Sequence, residues 1–168
     1  MSTLTSRPMT LWHVDFPDLY ARHLCRHSQF GINVAHLAAL VGMWYGVYGV
    51  VSALIHLNWV LVALAAAYLA LVALNTPVRV CLATAAFMVL FVAAVIWLPE
   101  LPIWVYLLMV PVFYELQAWS HKLWTAATDM TEFNKRYPKG PVLFVVLLIY
   151  EVPLVLNYLL FGRKDWSV

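Results

Sequence analysis

Charge is scarce in this chain. Asp, Glu, Lys and Arg together make up 11% of 168 residues, against roughly 25% in soluble domains. A chain that sparsely charged cannot cover itself with a solvated surface, and its net charge of +2 is too small to suit a nucleic-acid partner. Cysteine is nearly absent: Cys25 and Cys81 stand alone, without a CxxC pair, so neither a disulfide framework nor a thiolate zinc site is indicated. There is no internal repeat, low-complexity stretch or linker. The first residues, Met1-Ser2-Thr3, open no early apolar run and do not read as a signal peptide. Hydrophobic residues, by contrast, reach 64%.

These apolar residues fall in blocks of membrane length. A bilayer core of roughly 30 Å takes about 20 residues as helix, and a helix is the single-segment structure that satisfies its own backbone there. The sequence predicts an all-α integral membrane bundle, one domain over 1–168, with an interfacial helix in 1–30 and about five crossings near 31–54, 59–74, 80–98, 103–124 and 141–161. Asn75-Thr76-Pro77 and Pro99-Glu100-Leu101-Pro102 mark turns, and Pro141 suits a first helical turn. Five crossings place Arg7, Arg22, Arg26, Arg79, Lys122, Lys135, Arg136 and Lys139 on the N-terminal side and Arg163 and Lys164 on the other. By the positive-inside rule the N-terminal side is cytoplasmic. Trp59, Trp97 and Trp104 fall near the far interface, Trp119 and Trp124 near the first, as aromatic belts do.

Of six histidines, His13, His23, His27, His36 and His121 belong to the N-terminal side or to helix ends opening on it, and His56 to the other. His23 and His27 are spaced i, i+4, as are Gln117 and His121, so each pair shares a helix face. Imidazole is the commonest metal ligand, and oxygen-activating iron sites combine it with carboxylate and open positions. His23, His27, His36, His121 and Glu115 are therefore the candidate ligands. His36 cannot share a face with His23 and His27 on one unbroken helix, because nine residues from His27 is half a rotation; Gly31 offers the break. The competing reading makes His23 and His27 interfacial anchors, His13 a surface residue and His56 a helix cap. Glu151, mid-helix beside Pro153, must be paired or protonated at that depth, either as a buried hydrogen-bonded group or as the partner that orients a metal-bound histidine. Asp129 and Glu132 read as capping residues.

The stretch His27-Ser28-Gln29-Phe30-Gly31-Ile32-Asn33-Val34-Ala35-His36, leading into a membrane helix, and Gln117-Ala118-Trp119-Ser120-His121, closing a later one, together resemble the Mpo-like family of 2-hydroxy fatty acid dioxygenases. His27, Asn33, His36, His121 and Gln117 match its pattern. The resemblance implies a non-haem Fe(II) site on histidines and oxidative removal of one carbon from a 2-hydroxy fatty acid by molecular oxygen. In this reading a lipid or fatty acyl chain lies among apolar side chains of the first, fourth and fifth crossings. Its head meets Arg22, Arg26 or Lys122, and Gln117, Asn33 and Glu151 hydrogen-bond ligands or oxygen. Two other classes fit the composition: a haem b or quinone-binding membrane subunit, with two histidines as axial ligands, and a non-catalytic assembly protein in which every histidine is an anchor.

Overall fold

A computed structural model describes residues 10–124 and 140–162; Asp129 and Glu132 lie outside the described residues. Six helices follow in order: α1 Phe16–Leu24, α2 Phe30–Ile55, α3 Asn58–Ala73, α4 Val78–Trp97, α5 Ile103–Leu123 and α6 Pro141–Phe161. No strand occurs among the described residues, so the all-α membrane bundle expected from the sequence is the observed architecture.

Local chemistry sets the ends. The Asp15 carboxylate accepts the Asp18 N–H at 3.1 Å and Pro17 occupies the first turn of α1, satisfying one orphan donor and removing another. α2 terminates on His56 in the left-handed region, φ 54°, so His56 is a C-cap as its place in the sequence suggested. Asn75, in the α3–α4 turn, accepts the Val14 N–H at 2.9 Å and donates to the Tyr150 hydroxyl at 2.7 Å, tying the segment before α1 to α6. Phe16 and Leu19 of α1 bury against Val80 of α4 and Val146, Tyr150 and Leu154 of α6. Burying each such side chain stabilises by about 1.5–3 kcal/mol, which holds the short α1 against the bundle.

α2, α4 and α6 are long and apolar enough to cross a membrane, with mean hydropathies of 1.7, 2.6 and 2.2. α3 is apolar but has 16 residues, about 24 Å of helix. α5 is long enough but ends on Glu115, Gln117, Ser120, His121 and Lys122.

The closest helix pair is α2 with α5. Gly42, Gly46 and Gly49 form a smooth stripe on α2, and a Cβ added at Gly42 would lie 2.4 Å from the Phe113 ring, one at Gly49 2.3 Å from the Tyr106 ring. Without a hydrophobic driving force between helices in lipid, such close backbone approach is what holds them together. Gly31 belongs to the same seam: its Cβ would meet Trp124 at 2.5 Å. The chain break expected at Gly31 lies just before it, where α1 ends at Leu24 and α2 begins at Phe30.

Candidate metal centre

The turn between α1 and α2 folds His27 back toward His36, and the α2–α5 seam brings His121 to both. Ring centroids are 4.4 Å apart for His27–His36 and 4.9 Å for His27–His121 and His36–His121, each pair edge-on. One ring nitrogen from each lies within 4.8 Å of the others. His27 and His36 are buried and His121 half-buried.

Hydrogen bonding assigns the tautomers. Nδ1 of His27 faces the carbonyl oxygen of His23 at 3.2 Å. A carbonyl accepts only, so Nδ1 carries the proton and Nε2 the lone pair. Nδ1 of His36 lies 3.0 Å from Glu151 Oε1, and the carboxylate again makes Nδ1 the donor. Gln117 Nε2 donates to the same oxygen at 2.7 Å. Its 3.4 Å approach to His36 Nδ1 is therefore a contact between two donors sharing one acceptor. In both rings the remaining atom, Nε2, is buried without a hydrogen-bond partner. Two orphaned imidazole lone pairs beside a third imidazole are costly to bury empty and fit a metal ion: the three histidines could hold one. Two ligands on a common ion with bonds near 2.1 Å stand roughly 3.0–3.4 Å apart, so small side-chain adjustments would complete coordination.

Placement separates the remaining candidates. His23 stacks on His27 with centroids 4.3 Å apart, but its Nε2 donates to Asn33 Oδ1 at 2.8 Å, and it stands beside the ligand group rather than in it. Asn33, fully buried, also donates to the carbonyls of His27 and Gln29 at 2.7 and 2.8 Å. It thus fixes the turn that presents His27, and these two donations fix the orientation of its amide. Burial pushes the His23 imidazole down to about 4 despite the Asn33 hydrogen bond. His27 is held well below the ordinary range, first by burial and then by crowding from His23, His36 and His121. Both are neutral at pH 7, the form that binds metal. Glu151 and Gln117 hold His36. Glu115 is exposed, because two residues before Gln117 is about 200° round the helix, and it does not join the group. His13 is exposed.

A cavity of about 440 Å³ opens beside the three rings, lined by residues of α1, α2, α5 and α6. Arg22 and Arg26 stand at one end, and Met43, Phe144, Leu147 and Leu154 make an apolar wall. Two further residues brace the site: Tyr158, to which the sequence assigned no role, and Trp124, expected there only as an interfacial aromatic. The Tyr158 hydroxyl donates to the Ser28 carbonyl, holding the α1–α2 turn to α6, and Trp124 packs on Gly31. The glycine in the first turn of a helix is the one sequence signal that could have marked the latter.

Comparison with family models, with characterised proteins and with solved structures returned no match to this chain.

Proposed function

We propose that the protein is a membrane-embedded, non-haem iron-dependent oxygenase, with Fe(II) on His27, His36 and His121, molecular oxygen as co-substrate and a lipid or fatty acyl chain as substrate. One observation carries the reading. Two buried Nε2 atoms with fixed tautomers and no partner belong to rings grouped with a third imidazole on the wall of a mostly apolar cavity. Three protein ligands leave positions open, which is the arrangement of catalytic rather than structural metal sites. The likeness of the His27–His36 and Gln117–His121 stretches to the Mpo-like pattern supports iron over other first-row ions and a 2-hydroxy fatty acid over other lipids.

Bound ferrous iron supplies the redox chemistry with oxygen; the chain supplies everything else. Glu151 and Gln117 orient His36 and raise its basicity. Asn33 and His23 hold the His27 turn. Arg22 and Arg26 receive a polar head, and the apolar wall keeps the reacting chain dry. By the distribution of basic residues this pocket belongs to the cytoplasmic leaflet. The haem alternative is less well served. Two imidazoles holding a haem from its opposite faces would need ring centroids roughly 6 Å apart, from metal–nitrogen bonds near 2.1 Å, and His27, His36 and His121 stand closer than that, at 4.4–4.9 Å.

The test is oxygen uptake by purified protein in lipid nanodiscs, loaded anaerobically with Fe(II) and given a 2-hydroxy fatty acid. Oxygen consumption with a product one carbon shorter, lost in the His36→Ala/His121→Ala double variant, is expected. A Soret band in the protein as isolated, or iron bound with no oxygen uptake on any acyl substrate, overturns the reading.

A further inference from the structure

α5 and α6 both pack on α2; among the described residues they are joined to each other at the Gln117–Glu151 hydrogen bond but share no extended interface. The cavity occupies the gap between them: Tyr114, Ala118 and His121 come from α5, and Phe144, Leu148 and Glu151 from α6. Residues on both lips face outward, Tyr114 at 58% and Phe144 at 65% exposure. α6 is one of the helices apolar enough to cross a membrane, so with α6 in a bilayer the exposed sides of Tyr114 and Phe144 would meet hydrocarbon rather than water. Along the helices this gap runs about 10 Å from His121 to Tyr114 and about 15 Å from Phe144 to Leu154.

One end of the cavity differs in chemistry. Arg22 and Arg26, one turn apart near the end of α1, both line it. Arg22 is only partly exposed, and its Nε is buried without a hydrogen-bond partner. A guanidinium offers five donors in a fixed fork suited to carboxylate or phosphate, and a buried unpaired donor calls for such an acceptor. A cationic end outside the membrane-spanning run, joined to an apolar slot open sideways to lipid, has the two-part form of a membrane amphiphile.

We infer that the α5–α6 gap is a lateral portal through which a bilayer amphiphile with an anionic head reaches the three histidines, head on Arg22 and Arg26, chain between Tyr114 and Phe144. This builds on the proposed oxygenase only in calling the occupant its substrate. The portal itself needs neither metal nor turnover. It sorts ligands by two features: Arg22 and Arg26 select a charged head, and Ala118 of α5 and Leu148 of α6, both in the cavity lining, limit the thickness of the chain.

The test uses the full chain, freed of metal with EDTA, in phosphatidylcholine liposomes with a long-chain fatty acid carrying a mid-chain diazirine. After illumination, adducts are mapped by peptide mass spectrometry. Labelling of Tyr114, Phe144 and Leu148 should exceed that of Leu82 and Val89, lipid-exposed residues of α4, at least tenfold. Ala118→Trp and Leu148→Trp, filling the slot from opposite walls, should each cut that labelling at least fivefold, with retained metal affinity as the check on folding. Palmitate and phosphatidic acid are separate competitors. Whichever displaces the probe identifies a free fatty acid or a phospholipid as the source of the head, and neutral hexadecanol should displace it at least tenfold less well. Arg22→Gln/Arg26→Gln should erase that difference. Adducts spread evenly over α4, α5 and α6, or unaffected by both tryptophans, overturn the portal. Hexadecanol competing as well as the acids overturns the anionic head. A labelled portal without oxygen uptake would count against the oxygenase alone, and uptake without portal labelling against the portal alone.

Discussion

Replacing Glu151 by Gln removes one charge and nothing else of consequence. The amide oxygen can still accept from His36 Nδ1, 3.0 Å from the native carboxylate, and from Gln117 Nε2, 2.7 Å away. What is lost is the charge assistance in both hydrogen bonds, about 1 kcal/mol each from the gap between charged and neutral hydrogen bonds. A metal on His36 feels this as a less basic, less firmly oriented imidazole. If the whole ~2 kcal/mol appears in binding, affinity falls about 30-fold, since each 1.4 kcal/mol is roughly tenfold, inside the 10–100-fold typical of partners behind a ligand. Glu151→Ala should cost more, on the order of 100-fold, because the His36 and Gln117 donors are then left in a buried site without an acceptor. Isothermal titration of the detergent-purified protein with Zn(II), which avoids oxidation, measures both. Glu115→Gln is the control: exposed on the other face of α5, it should leave affinity unchanged. Glu151→Gln binding within threefold of wild type, or Glu115→Gln weakening binding equally, would refute the assignment of Glu151 as the orienting partner.

Other consequences follow from the same geometry. Asn33→Ala removes three hydrogen bonds, two of them buried, and should destabilise the protein by about 2–4 kcal/mol, read as a lowered melting temperature, with weaker metal binding because the His27 turn loosens. Gly49→Val puts side-chain atoms where the Tyr106 ring stands and should cost about 1–3 kcal/mol by overpacking, again visible in thermal unfolding. His23 is held at about 4 in the fold against an ordinary value of roughly 6.5, so the unfolded chain takes up its proton first as pH falls. Its contribution to the metal-free protein is complete above about pH 6.5 and declines down to about pH 4, by an amount on the order of 3 kcal/mol. A pH series of unfolding free energies that stays flat over that window would contradict the buried, neutral His23.

Much of the fold was legible because a bilayer imposes one requirement, a long self-satisfied helix, and apolar runs punctuated by proline report it directly. The run predicted from 141 to 161 coincides with α6, and Asn75-Thr76-Pro77 separates α3 from α4 as expected. The α1–α2 break was harder to place. Gly31 suggested flexibility, but its missing side chain serves close packing on Trp124, a contact from a distant helix that no local pattern reveals. The site was legible in kind: the polar residues of an apolar chain are few, and topology put most of the histidines at one end. Which of them converge was not. His23 and His27 have equal standing in the sequence, and they part only because Asn33, ten residues from His23, occupies His23 Nε2 while the His23 carbonyl turns His27 inward. Glu115 and Glu151 likewise look alike until helix phase and the α2–α6 contact put one on the outer face and the other on His36.

X-ray absorption on protein loaded with one equivalent of Fe(II) reads whether His27, His36 and His121 share one ion. A first shell containing three imidazoles at roughly 2.0–2.2 Å, reduced in His36→Ala and in His121→Ala, is expected. A shell without imidazole scattering, or one identical in both variants, would contradict it.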